Sequence, residues 1–135
     1  MKVEFRVEGL PPKKDGANSM WGKKEEAPKL QQLRIAALEA LAGRPPLCRR
    51  IRLIVRAHIG PANSRRIGDL DNFITGICDG LQAADPKAHI AEGFDDRVHP
   101  SKAIAIADDV EVVEIRAGKV IAPEAPFYEV ILEGE

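Results

Sequence analysis

Residues 2 to 8 alternate Val3, Phe5 and Val7 with Lys2, Glu4, Arg6 and Glu8. A hydrophobic period of two predicts a half-buried strand, which Gly9-Leu10-Pro11-Pro12 ends. Residues 13 to 26 hold four lysines, Trp21 and the turn formers Gly16, Asn18, Ser19 and Gly22, a composition that predicts a mobile polar loop. Pro28 suits a first helical turn, and Leu30, Leu33, Ala37 and Leu41, with Leu38 beside them, form an apolar stripe stopped by Gly43 and Pro45. A second strand follows where Ile51, Leu53, Val55, Ala57 and Ile59 alternate with Arg52, Arg56 and His58. From Leu70 the apolar positions are Leu70, Phe73, Ile74, Ile77, Cys78 and Leu81, the recurrence of a helix with one buried face. Residues 82 to 107 keep no period and contain Asp85-Pro86, Gly93 and His99-Pro100, so a long irregular insertion is expected there. Runs at 110 to 116 and 127 to 133 are rich in β-formers and predict two more strands.

The order β-α-β-α-β-β predicts an α+β fold of α/β-sandwich type: a small mixed β-sheet with two main helices packed on it, in one domain spanning residues 1–135. Composition agrees, since 44% hydrophobic and 30% charged residues in a chain of 135 describe a globular body able to bury a core without disulfides. Cys48 and Cys78 have no paired spacing and are expected to be reduced, packed thiols. The charged opening strand has no signal-peptide pattern, and no apolar run is long enough for a bilayer, so a cytosolic protein without a membrane partner is expected.

A net charge of −1 conceals an asymmetry: residues 1 to 66 carry fifteen Lys and Arg against six Asp and Glu, and the remainder five against fifteen. Two readings follow. A basic half attracts a phosphate backbone through local potential; alternatively, the two halves interleave in space and their charges are merely solvated. Lys13, Lys14, Lys23 and Lys24, with Arg49, Arg50, Arg52, Arg56, Arg65 and Arg66, are the candidates for phosphate contact.

The candidate chemistry is acidic. Asp69-Leu70-Asp71-Asn72 opens the clearest helix, where capping and the helix dipole by themselves favour Asp69 and Asp71. Asp108-Asp109 stands ahead of the strand at 110, where two adjacent carboxylates repel each other with no helix to cap. A helix N-terminus and a strand end can converge, and three carboxylates there make a hard oxygen site suited to Mg²⁺ or Mn²⁺, the ions that serve phosphodiester hydrolysis. No organic cofactor is expected. His89, Glu92, Asp95, Asp96 and His99 read as a solvated loop rather than a second metal cluster.

Nearly end to end, the chain resembles the RusA-type Holliday-junction resolvases, small endonucleases associated with phages and prophages. The resemblance lies in the opening strand with Gly9-Leu10-Pro11-Pro12, in Arg65-Arg66-Ile67-Gly68-Asp69-Leu70-Asp71-Asn72, in Asp79-Gly80-Leu81, and in Asp108-Asp109-Val110-Glu111-Val112. It implies that Asp69, Asp71 and Asp109 are metal-binding catalytic residues, and that the protein acts as a homodimer on four-way DNA junctions. Two features depart from the family pattern: Thr75 stands where a catalytic lysine is usual, and the insertion before Asp108 is long. Arg66 or Lys102 is then a candidate replacement cation. A junction-binding relative with weak or lost chemistry is the second reading, and a protein-interaction domain the third.

Overall fold

The structure is a computed structural model that describes residues 1–14, 19–65, 69–123 and 126–135. Its strands are β1 (Lys2–Glu8), β2 (Ile51–Ile59), β3 (Val112–Ile121) and β4 (Phe127–Glu133), and its two longer helices are α1 (Ala27–Leu41) and α2 (Leu70–Gly80). They form a four-stranded sheet in the order β1-β4-β2-β3, with both β4 pairings antiparallel and β2 parallel to β3. The fold is thus α+β with a mixed sheet and two main helices, in the predicted element order. No helix among the described residues is long and apolar enough to cross a membrane.

Register explains the core. Leu132 lies between Val3 and Leu53, Val130 between Phe5 and Val55, and Tyr128 between Val7 and Ala57. These rows put one face of three strands under the helices, where Leu33, Ala37 and Leu41 of α1 and Phe73, Ile74 and Ile77 of α2 bury their side chains. Each such side chain withdrawn from water contributes roughly 1.5–3 kcal/mol before entropy is charged against it. The opposite face is a lattice of charge. Lys2, Glu133, Arg52 and Glu114 follow one another across the sheet, with Arg52 at 3.3 Å from Glu114 and 3.9 Å from Glu133. His58 meets Glu129 at 2.7 Å. On this face the basic β2 and the acidic β4 interleave, so Arg52 and His58 are matched by carboxylates. Exposed pairs of this kind add little stability, and Arg52 is the one counted cation they match, so they account for only a small part of the charge asymmetry.

Three expectations need correction. The segment after Lys14 is not simply a mobile loop: Met20 and Trp21, in a short 3-10 turn at Met20–Gly22, are buried against Leu30, and the buried Glu26 carboxylate accepts the Lys13 amide at 2.8 Å. Polar composition hid two large apolar anchors. Second, residues 82 to 107 are irregular but not simply solvated. Ala84, Ala88, Ile90 and Phe94 pack on the Met20–Trp21–Leu30 cluster, Val98, Ile104, Ala105 and Ile106 join the main core, and Ile106 bridges Leu47. Third, of the two free thiols only Cys78 is buried; Cys48 is exposed.

Arg34 organises the insertion. It is fully buried and donates to five carbonyls: Nε to Val98 at 2.9 Å, Nη1 to Gly80 and Gln82 at 2.7 and 2.8 Å, and Nη2 to His99 at 2.9 Å and to Lys102. Those are all five N–H groups a guanidinium has. Burial pushes its pKa down to about 10, which still leaves it charged at neutral pH, and its charge lies 5.1 Å from the Trp21 ring centre.

Candidate functional site

α2 forms because its apolar residues recur on one side and bury against the sheet, leaving the other side to water. Along the border between its two sides, Asp71, Thr75, Cys78 and Gln82 recur at four, three and four residues, so they form one strip along the helix axis, with Cys78 itself buried. Asp71 is exposed and Thr75 and Gln82 half-buried. Just ahead of Asp71, Asp69 holds the N-cap position with an extended backbone, but its side chain makes no capping hydrogen bond. Capping, which by itself could have explained Asp69, is not what its carboxylate does.

Asp108 reverses the other expectation. Residues Asp109–Glu111 form a 3-10 turn before β3, and the Asp108 side chain caps it by accepting from the Val110 amide at 3.0 Å. The adjacent carboxylates therefore have a local role for the first of the pair and none for the second. Asp95 and Asp96 repeat the arrangement, since Asp95 caps the turn Asp96–Val98 through the Arg97 amide at 2.9 Å. The Arg97 guanidinium also bonds the Asp95 carboxylate and holds its pKa below the ordinary value.

Asp109 is joined to α2 by a residue that sequence reasoning missed. Gln82 Nε2 donates to the Cys78 carbonyl at 3.1 Å, and Gln82 Oε1 accepts the Asp109 amide at 3.1 Å. This places Asp109 beside the last turn of the helix, and Cys78 lies about 10 Å along the axis from Asp71. Burial pushes the Cys78 thiol up to about 11, with further upward contributions from the charges of Asp79 and Asp109. The only sequence signal for Gln82 was its place on the Asp71 strip.

Lys14 reaches the same helix. Its amide donates to the Asn72 carbonyl at 3.3 Å and its Nζ to Asp79 Oδ2 at 3.1 Å, so residue 14 spans the two turns that flank Thr75. Gly76 permits the crossing: a Cβ there would fall 2.3 Å from the Pro12 carbonyl oxygen. Lys14, Asp79 and Gln82 line a cleft of about 440 Å³ together with Trp21, Asp85 and Lys87.

Of the other predicted residues, Lys13 is half-buried with its amide on Glu26, and Arg65 is exposed. Arg66 lies outside the described residues. Lys102 donates to the Asp96 carbonyl at 2.9 Å within the insertion. Among the described residues, no three His, Cys, Asp or Glu side chains are grouped closely enough to hold a metal ion. The expected ring of Asp69, Asp71 and Asp109 is thus not gathered in this conformation; Asp69 and Asp71 stand two residues apart at one end of the strip and Asp109 at the other.

The donor set still suits a particular kind of ion. Mg²⁺ commonly takes one or two carboxylates, keeps waters and completes its shell with substrate phosphates. Asp69 and Asp71, exposed and at a helix start, can supply that share. No protein-family model matches the chain, and no curated protein matches it.

Proposed function

We propose that this protein is a metal-dependent endonuclease that hydrolyses phosphodiester bonds in four-way DNA junctions, acting as a homodimer in the cytosol. The observation that carries the reading is the pair Asp69 and Asp71: neither carboxylate caps the helix, and both open the strip to which Gln82 ties Asp109. Asp69 and Asp71 would hold Mg²⁺ or Mn²⁺, with Asp109 positioned to approach the same phosphate from the other end. When bound, the ion supplies an activated water and charge neutralisation at the leaving oxygen.

The chain's own residues do the rest. The carboxylates of Asp69, Asp71 and Asp109 orient what lies between them and the scissile phosphate. Lys14 and Arg65, with Lys13 and Arg66 as further candidates, supply phosphate contacts that set affinity and salt dependence without reading sequence. Thr75 carries no charge, and the Lys14 ammonium one turn further along offers a cation to the same helix surface.

Thr75 is also what favours the second reading, a junction-binding relative with weak chemistry. Incubating a synthetic four-way junction with the protein and Mg²⁺ or Mn²⁺, beside Asp71→Asn, separates the two. Cleavage lost in the variant supports the endonuclease; tight junction binding with no cleavage by either protein supports the relative. Equal, weak binding of junction and linear duplex overturns both.

A further inference from the structure

The sheet has two edges of opposite character. β1 shows water Lys2, Glu4, Arg6 and Glu8, in ion pairs of 3.1 Å for Lys2 with Glu4 and 2.7 Å for Arg6 with Glu8, while Val3 and Val7 are buried. Charge of this kind is the ordinary protection of an edge strand. β3 pairs only with β2 among the described residues, yet it exposes 64% of Val113, 48% of Ile115 and 56% of Ile121. From Glu114 on, beyond the bulge that leaves Val113 without a partner in β2, the edge is open and shows apolar residues beside its charges, which makes it a template for another strand.

We propose that a second copy of this chain covers that edge, its β3 pairing antiparallel with this one about a twofold axis through Ile115, so that one eight-stranded sheet runs through the dimer. Such an axis, perpendicular to the sheet, keeps each side chain on its own face, so only residues of like parity can oppose one another. Centred on Ile115, the strand sets Ile115 against the partner's Ile115, and Glu114 and Arg116 against the partner's Arg116 and Glu114. Centred on Arg116, it would oppose two guanidinium groups; centred on Ala117, it would oppose Ile115 to the partner's Lys119. Glu114 already lies 3.1 Å from Arg116 and 3.3 Å from Arg52, so the Ile115 register extends an existing alternation of charge across the axis. Opposite charges across a cross-strand pair stabilise it and like charges oppose it.

The surface gives a location to the homodimer of the proposed function but is argued from β3 alone. Analytical ultracentrifugation of the full chain should find a dimer. Glu114→Arg and Arg116→Glu should each raise the dissociation constant at least about tenfold, because each opposes like charges across the interface, and the double exchange should restore it. In a Cys48→Ser background, Ile115→Cys should form an intermolecular disulfide on oxidation and Ala117→Cys should not. A monomeric wild type, single exchanges without effect, or crosslinking through Ala117→Cys instead would overturn the proposal. A dimer of this kind that leaves junctions intact overturns the nuclease reading only, and a monomer that cleaves them overturns this surface only.

Discussion

Arg34 and Asp71 are charged residues on the two helices, and their surroundings are opposite. Arg34 is sealed in the interior with every N–H bonded to a carbonyl, four in the insertion and one at the end of α2, whereas Asp71 and its neighbour Asp69 stand in water at a helix start with no capping bond. A buried charge survives only when fully paired, and removing its partner or the charge itself leaves costly unsatisfied groups. An exposed carboxylate that makes no capping bond can be lost at little cost to the fold, about 1 kcal/mol at most from the helix dipole. The difference separates residues that hold the shape from residues free to act on something outside it.

The sharpest way to break that division is Arg34→Ala. It would strip the guanidinium from five carbonyls, of which, among the described residues, only His99 keeps another donor, the Lys102 amide, and open a cavity; urea denaturation should register a loss of about 3–5 kcal/mol, with faster amide exchange across residues 80 to 102. An unchanged midpoint would mean the insertion is held by something else. Gly76→Ala should rank next, costing about 1–3 kcal/mol as overpacking, because Pro12 must retreat. It should also pull Lys14 from Asp79, so weakened junction binding is expected together with the lower stability.

Cys78 sharpens the comparison from within the helix. Its folded pKa, about 11 against an ordinary 9.0, lies above the unfolded value. The stability this contributes is therefore fully present below about pH 9 and lost as pH rises through about 11. Alkylation followed by mass spectrometry should find Cys48 reactive near pH 8 and Cys78 protected. Asp109→Asn should lower the Cys78 pKa, since a negative charge that disfavours the thiolate is gone; no movement would mean Asp109 is not held beside α2. The smallest expected effect belongs to Lys14→Ala, which should reduce the slope of log affinity against log salt by about 1 if Lys14 contacts one phosphate.

Most strands and helices were legible from local pattern: β1 and β2 begin and end where the alternation does, and β4 covers the run of β-formers at 127 to 133. Neither end of β3 was: the Asp108-capped turn takes residues 109 to 111 out of the strand, and pairing with β2 carries it past Arg116 and through Gly118 to Ile121. The order in the insertion was hidden for a different reason. It depends on one arginine reaching carbonyls far along the chain, and no local pattern reports such a contact. A trace existed, because Leu30, Arg34, Ala37 and Leu41 follow one helical stripe, and a charge on an apolar stripe asks for a buried partner. For the site, residue type identified the carboxylates, but which of them cap was inverted: Asp69 holds the cap position without capping, and Asp108 caps where no cap was expected. The link from Gln82 to Asp109 depends on where the insertion returns, and so only the fold reveals it.

The most direct measurement of the central claim is the single-turnover cleavage rate of a synthetic four-way junction in Mg²⁺, for the wild type and Asp71→Asn at matched thermal stability. The account predicts cleavage by the wild type, a rate lower on the order of a hundredfold or more in the variant, and a melting transition unchanged beyond the roughly 1 kcal/mol a first-turn carboxylate contributes. Equal rates for the two proteins, or no cleavage by the wild type with either Mg²⁺ or Mn²⁺, would contradict it.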